Sequence, residues 1–447
     1  MKIVQLIKLI AECKRNWKLD RFKVGSGAVL SYATPKLQLA SLIVDLVVKY
    51  VKNPNLGSAV VFKGSIKMAN MLSEYISETW LYGDAKTSLG LNLKSSTQAY
   101  QVAIYCALCN YYERIGLDYH DVGLLTKRAR NLRILAPIQY KYFLEKAMYL
   151  TGLGRNSVYY YSTGKDCILS IKRISERLRS KGEIPILVLL GGGDTNTGII
   201  PNNKGLLDYM RSNKVLRSSL NVCDATGQWL NYWAHGDLGC DFRNKNVDMI
   251  ICSLQKIEVS VDQSLLLARD YSVFEPMLDR NRRVEYLKGN TVGEKKILLQ
   301  AYAPPLTSRS GAQAVAAWFY LCYYGKSGII AKRRKILNES ENIRRYIKSR
   351  KEIEYVHCEN NTIAFRCRKG EANLNLVKMC EANGICTLGY SPTLCAKNIS
   401  DYGRAEKGES TYSGIFGSLM EKQCATKIIK SLEKVIKKVA AVEAAII

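Results

Sequence analysis

The chain has 447 residues, 47% of them apolar, with 28 Tyr and a formal net charge of +27. That is enough apolar chain for a large core plus a smaller one, and too much for a disordered polypeptide. No run of about 18 uncharged apolar residues occurs, which argues against a membrane-spanning helix.

The positive excess comes from 66 Lys and Arg against 39 Asp and Glu. Basic clusters recur as KRAR (127–130), RNRR (280–283), KRRK (332–335) and RRYIKSRK (344–351). They are spread along the chain and not gathered in one arm, so they read first as a solvated Lys-rich surface. Attraction of nucleic acid, anionic membrane or acidic substrate is the alternative. The 14 Cys are irregularly spaced. Cys106 and Cys109 form the one CxxC pair, inside the apolar stretch AIYCALCNYY. With no second pair nearby, buried helix thiols are favoured there over zinc or redox chemistry. Scattered thiols in a chain this long suggest a reducing compartment, and the chain reads as cytoplasmic.

In chain order, MKIVQLIKLIAECKRN places Ile3, Leu6, Ile7 and Ile10 on one helical face, interrupted by Lys8. This is a docking helix rather than a signal peptide. Residues 97–115 predict a long, largely buried helix, and 143–152 a second. SVYYYS (157–162) predicts a strand. CILSIKRISERLRSKG (167–182) carries Ile168, Ile171, Ile174 and Leu178 at helical spacing. IPILVLLGGG (184–193) is an apolar strand ending in glycines. GLLDYMRSNK predicts a helix, SLNVCDA a strand, and Met249-Ile250-Ile251-Cys252 another. Such alternation predicts an open, mostly parallel α/β sheet, which carries ligands at the carboxyl ends of its strands. After about residue 320 a basic helical region (326–349) is followed by short strands, EIEYVHC and TIAFRCR. The final helix has Ile428, Ile429, Leu432, Val435, Ile436 and Val439 on one face. This predicts a smaller α+β unit.

Three strand ends carry chemistry: LLGGGDTNTGII (189–200), NVCDATG (221–227) with Asp224, and SLQKI (253–257) with Lys256. Singly, each has a plain explanation: a common Gly-rich turn, a helix-capping Asp, an exposed Lys. Together, an Asp and a later Lys at strand ends of one parallel sheet suit pyridoxal phosphate. That cofactor needs a lysine for its Schiff base and a carboxylate to keep its pyridine nitrogen protonated. A lysine between buried segments has its amine pKa lowered by desolvation, which fits the task.

At these residues the sequence resembles the group II pyridoxal-phosphate amino-acid decarboxylases, the aromatic-amino-acid, glutamate and tyrosine decarboxylase family. The family's D-S-x-x-x-D-P-H-K-W is similar to DMIICSLQK, from Asp248 to Lys256. H-V-D-A-A corresponds to Val222-Cys223-Asp224-Ala225-Thr226, and G-T-T-N-T-G to Gly193-Asp194-Thr195-Asn196-Thr197-Gly198. H-Y-S-x-x-K-A corresponds to Lys141 through Ala147, and S-G-G-T-E-A-N to Lys94 through Tyr100. Tyr286-Leu287-Lys288, Ser308-Arg309-Ser310, Trp318 and Tyr324-Gly325-Lys326 follow in order.

The resemblance implies the fold of PLP-dependent transferases (aminotransferase type I), with a mostly parallel sheet flanked by helices and a smaller C-terminal α+β domain. Its divisions would be an N-terminal segment packing on the dimer (1–55), a large cofactor-binding domain (56–320) and a small domain (321–447). Lys256 would carry the Schiff base to pyridoxal 5'-phosphate, and Asp224 would pair with the pyridine nitrogen. Thr195 would lie near the ring. Ser95, Ser96 and Thr97 would hold the phosphate at a helix N-terminus, with Ser253 adding a hydroxyl. Tyr302, in LLQAYAPP, would return a proton to the substrate carbon. The protein would be a homodimer with shared sites, the loop at Ser308-Arg309 reaching the neighbouring one.

Four residues depart from the family's pattern. Lys141 stands where the ring-stacking histidine is expected, and Gln255 where a histidine precedes the lysine. Ser95-Ser96 replaces a pair of glycines. Three readings stay open: decarboxylation of an amino acid to amine and CO2, an altered or inactive scaffold that binds a partner, and a related lyase or aldehyde-forming reaction.

Overall fold

The computed structural model describes residues 38–259, 263–278, 292–303, 306, 308–367, 372–382, 389–396, 398–419 and 425–445, with five isolated positions between 7 and 15. In chain order, α1 (Leu39–Val51) and α2 (Ala59–Trp80) precede β1 (Leu89–Leu93) and α3 (Ser96–Arg114). Then come β2 (Leu132–Pro137), α4 (Lys141–Met148), β3 (Val158–Tyr161), α5 (Cys167–Lys181), β4 (Ile184–Gly191) and α6 (Lys204–Ser212). β5 (Leu220–Asp224), β6 (Met249–Ser253) and β7 (Ser264–Ala268) complete a seven-stranded sheet of order β1-β7-β6-β5-β4-β2-β3. The run β3-β2-β4-β5-β6 is parallel, while β7 lies antiparallel between β6 and β1.

The apolar runs explain why these strands lie at the centre. β4 is buried at every position after its first. Its Val188 and Leu190 pack into one core with α2, α5 and α6, and its Leu187 and Leu189 into another with α3. A strand apolar on both faces needs helices on both sides, which is the signature of a parallel sheet. The expected α/β architecture is therefore the observed one.

α7 (Val292–Tyr302) and α8 (Gly311–Lys348) lead to a second sheet. It is antiparallel, of order β10-β11-β9-β8, built from β8 (Ile353–Tyr355), β9 (Thr362–Cys367), β10 (Gly389–Ser391) and β11 (Gly414–Ser418). Helices α9 (Ala372–Ala382), α10 (Ile399–Glu406) and α11 (Ala425–Ala445) accompany it. Ile428, Leu432, Val435 and Ile436 of α11 are buried against this sheet, with Ile429 at the edge. The side chain of Val439 lies outside the described residues, as do Ile3, Leu6 and Ile10, RNRR (280–283) and Tyr286-Leu287-Lys288.

Two boundaries differ from expectation. The helix expected over 143–152 starts at Lys141 and ends at Met148, because Gly152 and Gly154 follow with φ of +75° and +74° and cannot extend it. The basic helical region at 326–349 is the second half of α8, which breaks at Gly325 (φ +60°) and so continues across the change of pattern near 320. Among the described residues, no helix is long and apolar enough to cross a membrane.

Candidate active site

Asp224 is the last residue of β5 and is 6% exposed. One carboxylate oxygen accepts the hydroxyl of Tyr100 from α3. The other accepts the Thr226 N–H at 3.0 Å and the Thr226 hydroxyl. The chain passes close by at Gly192, whose N–H donates to the Asp224 carbonyl at 2.9 Å. A Cβ there would meet that carbonyl and the Tyr232 hydroxyl, each at 2.5 Å, so only glycine fits. Burial, then the Asp224 charge, push the Tyr100 phenol well above its usual range, which keeps it a donor.

Lys256 sits in a single 3-10 turn, Gln255–Ile257, just after β6. Its N–H donates to the Ser253 hydroxyl at 3.2 Å. Burial lowers the pKa of its amine, and the negative charges of Asp224 and Asp194 oppose that. The amine thus lies within electrostatic reach of two carboxylates from neighbouring strand ends. Asp194 is fixed by its own turn. It accepts the N–H of Asn196 (3.1 Å) and the N–H and hydroxyl of Thr197 (2.9 and 2.6 Å). Burial raises its pKa, against the pull of those bonds and of Lys256.

The second sheet clasps this turn. Glu359 N–H donates to the Thr197 carbonyl at 2.8 Å, and the Asn360 amide to the Gly198 carbonyl at 2.7 Å. Gly198 has φ +69°, and a Cβ there would stand 2.5 Å from the Glu359 carbonyl.

The N-terminus of α3 forms another wall. Ser95 caps it by accepting the Gln98 N–H at 3.2 Å, and Gln98 returns the bond to the Lys94 N–H at 2.8 Å. The Ser96 hydroxyl lies 3.4 Å from that of Ser264, which pairs in register with Ser253. Hydroxyls and free helix amides, Thr97 among them, therefore gather at one end of β6 and β7.

Tyr140 and Lys141 follow β2 and diverge. Tyr140 is 4% exposed, and its hydroxyl has no hydrogen-bond partner among the described residues. Burial and the charges of Asp224 and Asp194 push its pKa well up. Lys141 instead binds both oxygens of Glu406 in α10, at 2.8 and 2.6 Å. The two residues line a cleft of about 1290 Å³ between the sheets, which Asp194, Asn196 and Thr197 also line. Asp194 also lies within electrostatic reach of Lys256.

The other expected positions lie as follows. Thr195 is half-buried in the Asp194 turn. The Gln255 N–H reaches the Gln263 carbonyl at 3.4 Å. Tyr302 ends α7, where its hydroxyl accepts the Ala59 N–H at 3.2 Å. Arg309 is buried, with its guanidinium donating to the Gln300 carbonyl and its pKa lowered by burial to about 10. Cys106 and Cys109 are buried in α3, and burial raises both thiols. Tyr100, Tyr140 and Asp194 had no role in the sequence reading. Tyr100 stands four residues, one helical turn, beyond Ser96, a spacing that places it on the same face. Asp194 stands in a motif where the resembled family has a threonine.

No family model matches the sequence, and no curated protein matches it either. Solved structures do. Oryza sativa TDC with PLP and tryptamine superposes with a TM-score of 0.75 at 14% identity, covering 94% of this chain and 85% of that one. Catharanthus roseus tryptophan decarboxylase with L-tryptophan gives 0.74 at 13%, covering 96% and 88%. Rhodiola rosea 4-hydroxyphenylacetaldehyde synthase gives 0.70 at 14%, covering 94% and 84%. The chain has the fold of the PLP-dependent decarboxylases, as its ordered motifs suggested.

Proposed function

We propose that the protein is a PLP-dependent amino-acid decarboxylase with Lys256 as the attachment point. The observation that carries this is Lys256, half-buried in the turn after β6, within electrostatic reach of Asp224 and Asp194 at the ends of the neighbouring parallel strands, with burial lowering the pKa of its amine. A structural lysine would gain nothing from such a position, because removing a cation from water is costly. Pyridoxal phosphate fits the residues present: a lysine amine eased toward its neutral form, a fixed carboxylate at the end of the adjacent strand, and an anion-binding helix end. When bound, the cofactor supplies an electron sink for the bond to the departing carboxylate.

The chain's own residues divide the remaining work. Asp224, held by Tyr100 and Thr226, would keep the ring nitrogen protonated. Ser95, Ser96 and Thr97, with the α3 amides and Ser253, would hold the phosphate. Thr195 and Gln255 would lie beside the ring and the lysine. Tyr302 is our candidate for returning a proton to the substrate carbon. Lys141, bound to Glu406, would tie the cleft's two walls together.

A homodimer suits α1, whose Leu39, Leu46, Val47, Tyr50 and Val51 are each more than half exposed, as are Val60 and Val61 at the start of α2. An apolar face of that extent calls for a partner. The cysteines described are all free, which fits a reducing compartment. The likeness to an aldehyde synthase favours aldehyde formation as the second reading.

The test is to incubate the purified protein with pyridoxal phosphate, reduce it with borohydride and map the labelled peptide. Label on Lys256, lost in Lys256→Ala, with CO2 and amine released from an amino acid, is the expected result. An aldehyde product would select the second reading. Label scattered over surface lysines would refute both and direct attention to what the basic surface binds.

A further inference from the structure

The candidate site accounts for little of the net charge of +27, and the fold gathers part of that charge on one face. The basic clusters at 332–335 and 344–351 both fall on α8 or its end. Burial sorts their members. Arg333 and Arg344 turn inward. Arg333 donates to the Asn231 side chain at 3.0 Å, and Arg344 to the Asn360 and Thr362 carbonyls at 2.8 and 3.0 Å. These two tie α8 to the segment after β5 and to the second sheet. Arg334, Lys335, Arg345 and Lys348 are exposed instead. With about 100° between successive residues, they share an arc of about 140°.

α11 lies beside α8 in the same layer. Ile336, Ile343 and Ile347 of α8 share one core with Ile428 and Leu432 of α11 and with Phe365 of the second sheet. Ala364 and Phe416 belong to the opposite face of that sheet, where Phe416 lines the cleft. Both helices therefore cover the face turned away from the candidate site. Two ties set them side by side: the Ala425 N–H donates to Glu339 at 3.0 Å, and Arg350 meets Glu433 at 3.2 Å. Lys427, Lys430 and Lys434 are exposed on α11, and their spacing of three and four residues keeps them on one stripe. The acids within 334–348 and 425–437 are Glu339, Glu341 and Glu433, and each is engaged. Glu341 pairs with Arg344 at 2.9 Å, Glu433 with Arg350 and with Lys437 at 3.3 Å, and Glu339 holds the Ala425 amide. Arg334 and Lys348 lie over the rings of Trp233 and Tyr355, and Arg345 reaches the Asn342 amide, contacts that leave their charges uncompensated. The exposed cations of both helices thus have no acidic partner among the described residues.

We infer that the outer face of α8 and α11 binds the phosphate backbone of a nucleic-acid duplex. This binding is independent of the chemistry at Lys256. From Arg334 to Lys348 is about 21 Å of helix, and a duplex of that length carries about 12 phosphates. Exposed cations that meet phosphates release the condensed counterions, which supplies most of the affinity of sequence-independent binding. The composition of the face selects among polyanions. No large apolar or aromatic side chain is exposed within 334–348 or 425–437. A membrane surface calls for apolar side chains that enter the headgroup boundary. A single strand calls for aromatic platforms on which its bases stack. A duplex backbone needs neither, only cations and hydrogen-bond donors.

The experiment uses the full chain and a fluorescein-labelled DNA duplex of about 20 base pairs, with binding followed by anisotropy from about 50 to about 300 mM salt. Contact with about five phosphates predicts a slope of log affinity against log salt of about −4.5. The combined variant Arg345→Gln, Lys427→Gln, Lys430→Gln, Lys434→Gln should make the slope shallower by about 3 to 4 and weaken binding on the order of 100-fold at about 100 mM salt. All four side chains are exposed, so the urea midpoint should stay with the parent. A control variant removes the same charge from exposed positions on and after α5 and α6: Arg173→Gln, Arg179→Gln, Arg211→Gln, Lys214→Gln. It should bind the duplex as the parent does. Equal loss in the two variants shows that net charge alone acts and overturns the inference, as does a parent that fails to bind at about 50 mM salt. Phosphatidylserine vesicles and a single strand of the same length are the competing probes. Tighter binding to either, lost in the first variant, assigns the face to that partner and overturns the duplex.

Discussion

Asp248, immediately before β6, should make the protein less stable at neutral pH than at pH 4. One of its oxygens accepts the Asn221 N–H at 2.8 Å, and Arg269 stands 3.6 Å from the other. Burial outweighs both and pushes its pKa up to about 6 from 3.8. The folded protein therefore holds this proton more tightly than the unfolded chain. Stability from this group is complete below about pH 4, where both states are protonated, and is lost as pH rises through 6. Two units of difference set a ceiling of about 3 kcal/mol. The side chain is 29% exposed, so solvent screening brings the expected effect to about 1–2 kcal/mol. Asp248→Asn keeps an oxygen for the Asn221 N–H and removes the titration. Urea denaturation at pH 4, 5, 6 and 7 should show the variant more stable than the parent at pH 7 by that amount, with the slope between pH 4 and 6 reduced. A variant no more stable at pH 7, with the slope intact, would refute the assignment of the burial cost to Asp248.

The remaining predictions concern the site. Gly198→Ala places a Cβ against the Glu359 carbonyl and the Thr362 hydroxyl at a positive φ, and should cost about 2–4 kcal/mol; an unchanged urea midpoint would show that the clasp gives way freely. Tyr100→Phe leaves an oxygen of the buried Asp224 carboxylate without its donor and should cost about 1–3 kcal/mol, read in the same assay, where no loss would remove Tyr100 from the site. Lys141→Met breaks an ion pair whose Glu406 side is 44% exposed and should cost no more than about 1 kcal/mol. It should leave borohydride labelling of Lys256 intact, and loss of labelling would place Lys141 against the cofactor instead.

Much of this was legible because the chemistry lies at strand ends. β4 and β6 are apolar up to their ends and β5 is apolar from Val222 on, so a polar residue marks each end: Asp194 after the glycines, Asp224, and Ser253 before Lys256. Parallel pairing in register then sets these ends side by side. The antiparallel insertion of β7 between β6 and β1 was not legible, since an apolar run of five residues carries no sign of direction. Nor was the Tyr100 contact, because α3 is buried nearly all round and its apolar periodicity does not single out one face.

The contrast at 140–141 shows what motif reading alone does not convey. Alignment assigns the position over the ring to Lys141. The backbone adds the direction of each side chain. A 3-10 turn, Ile138–Tyr140, intervenes between β2 and α4, and adjacent residues across such a turn project in different directions. Tyr140 goes inward toward Asp224, and Lys141 goes across the cleft to Glu406. The substitution of lysine for histidine therefore does not put a cation beside Asp224; it adds a tie between the two sheets and leaves an aromatic ring to face the buried carboxylates.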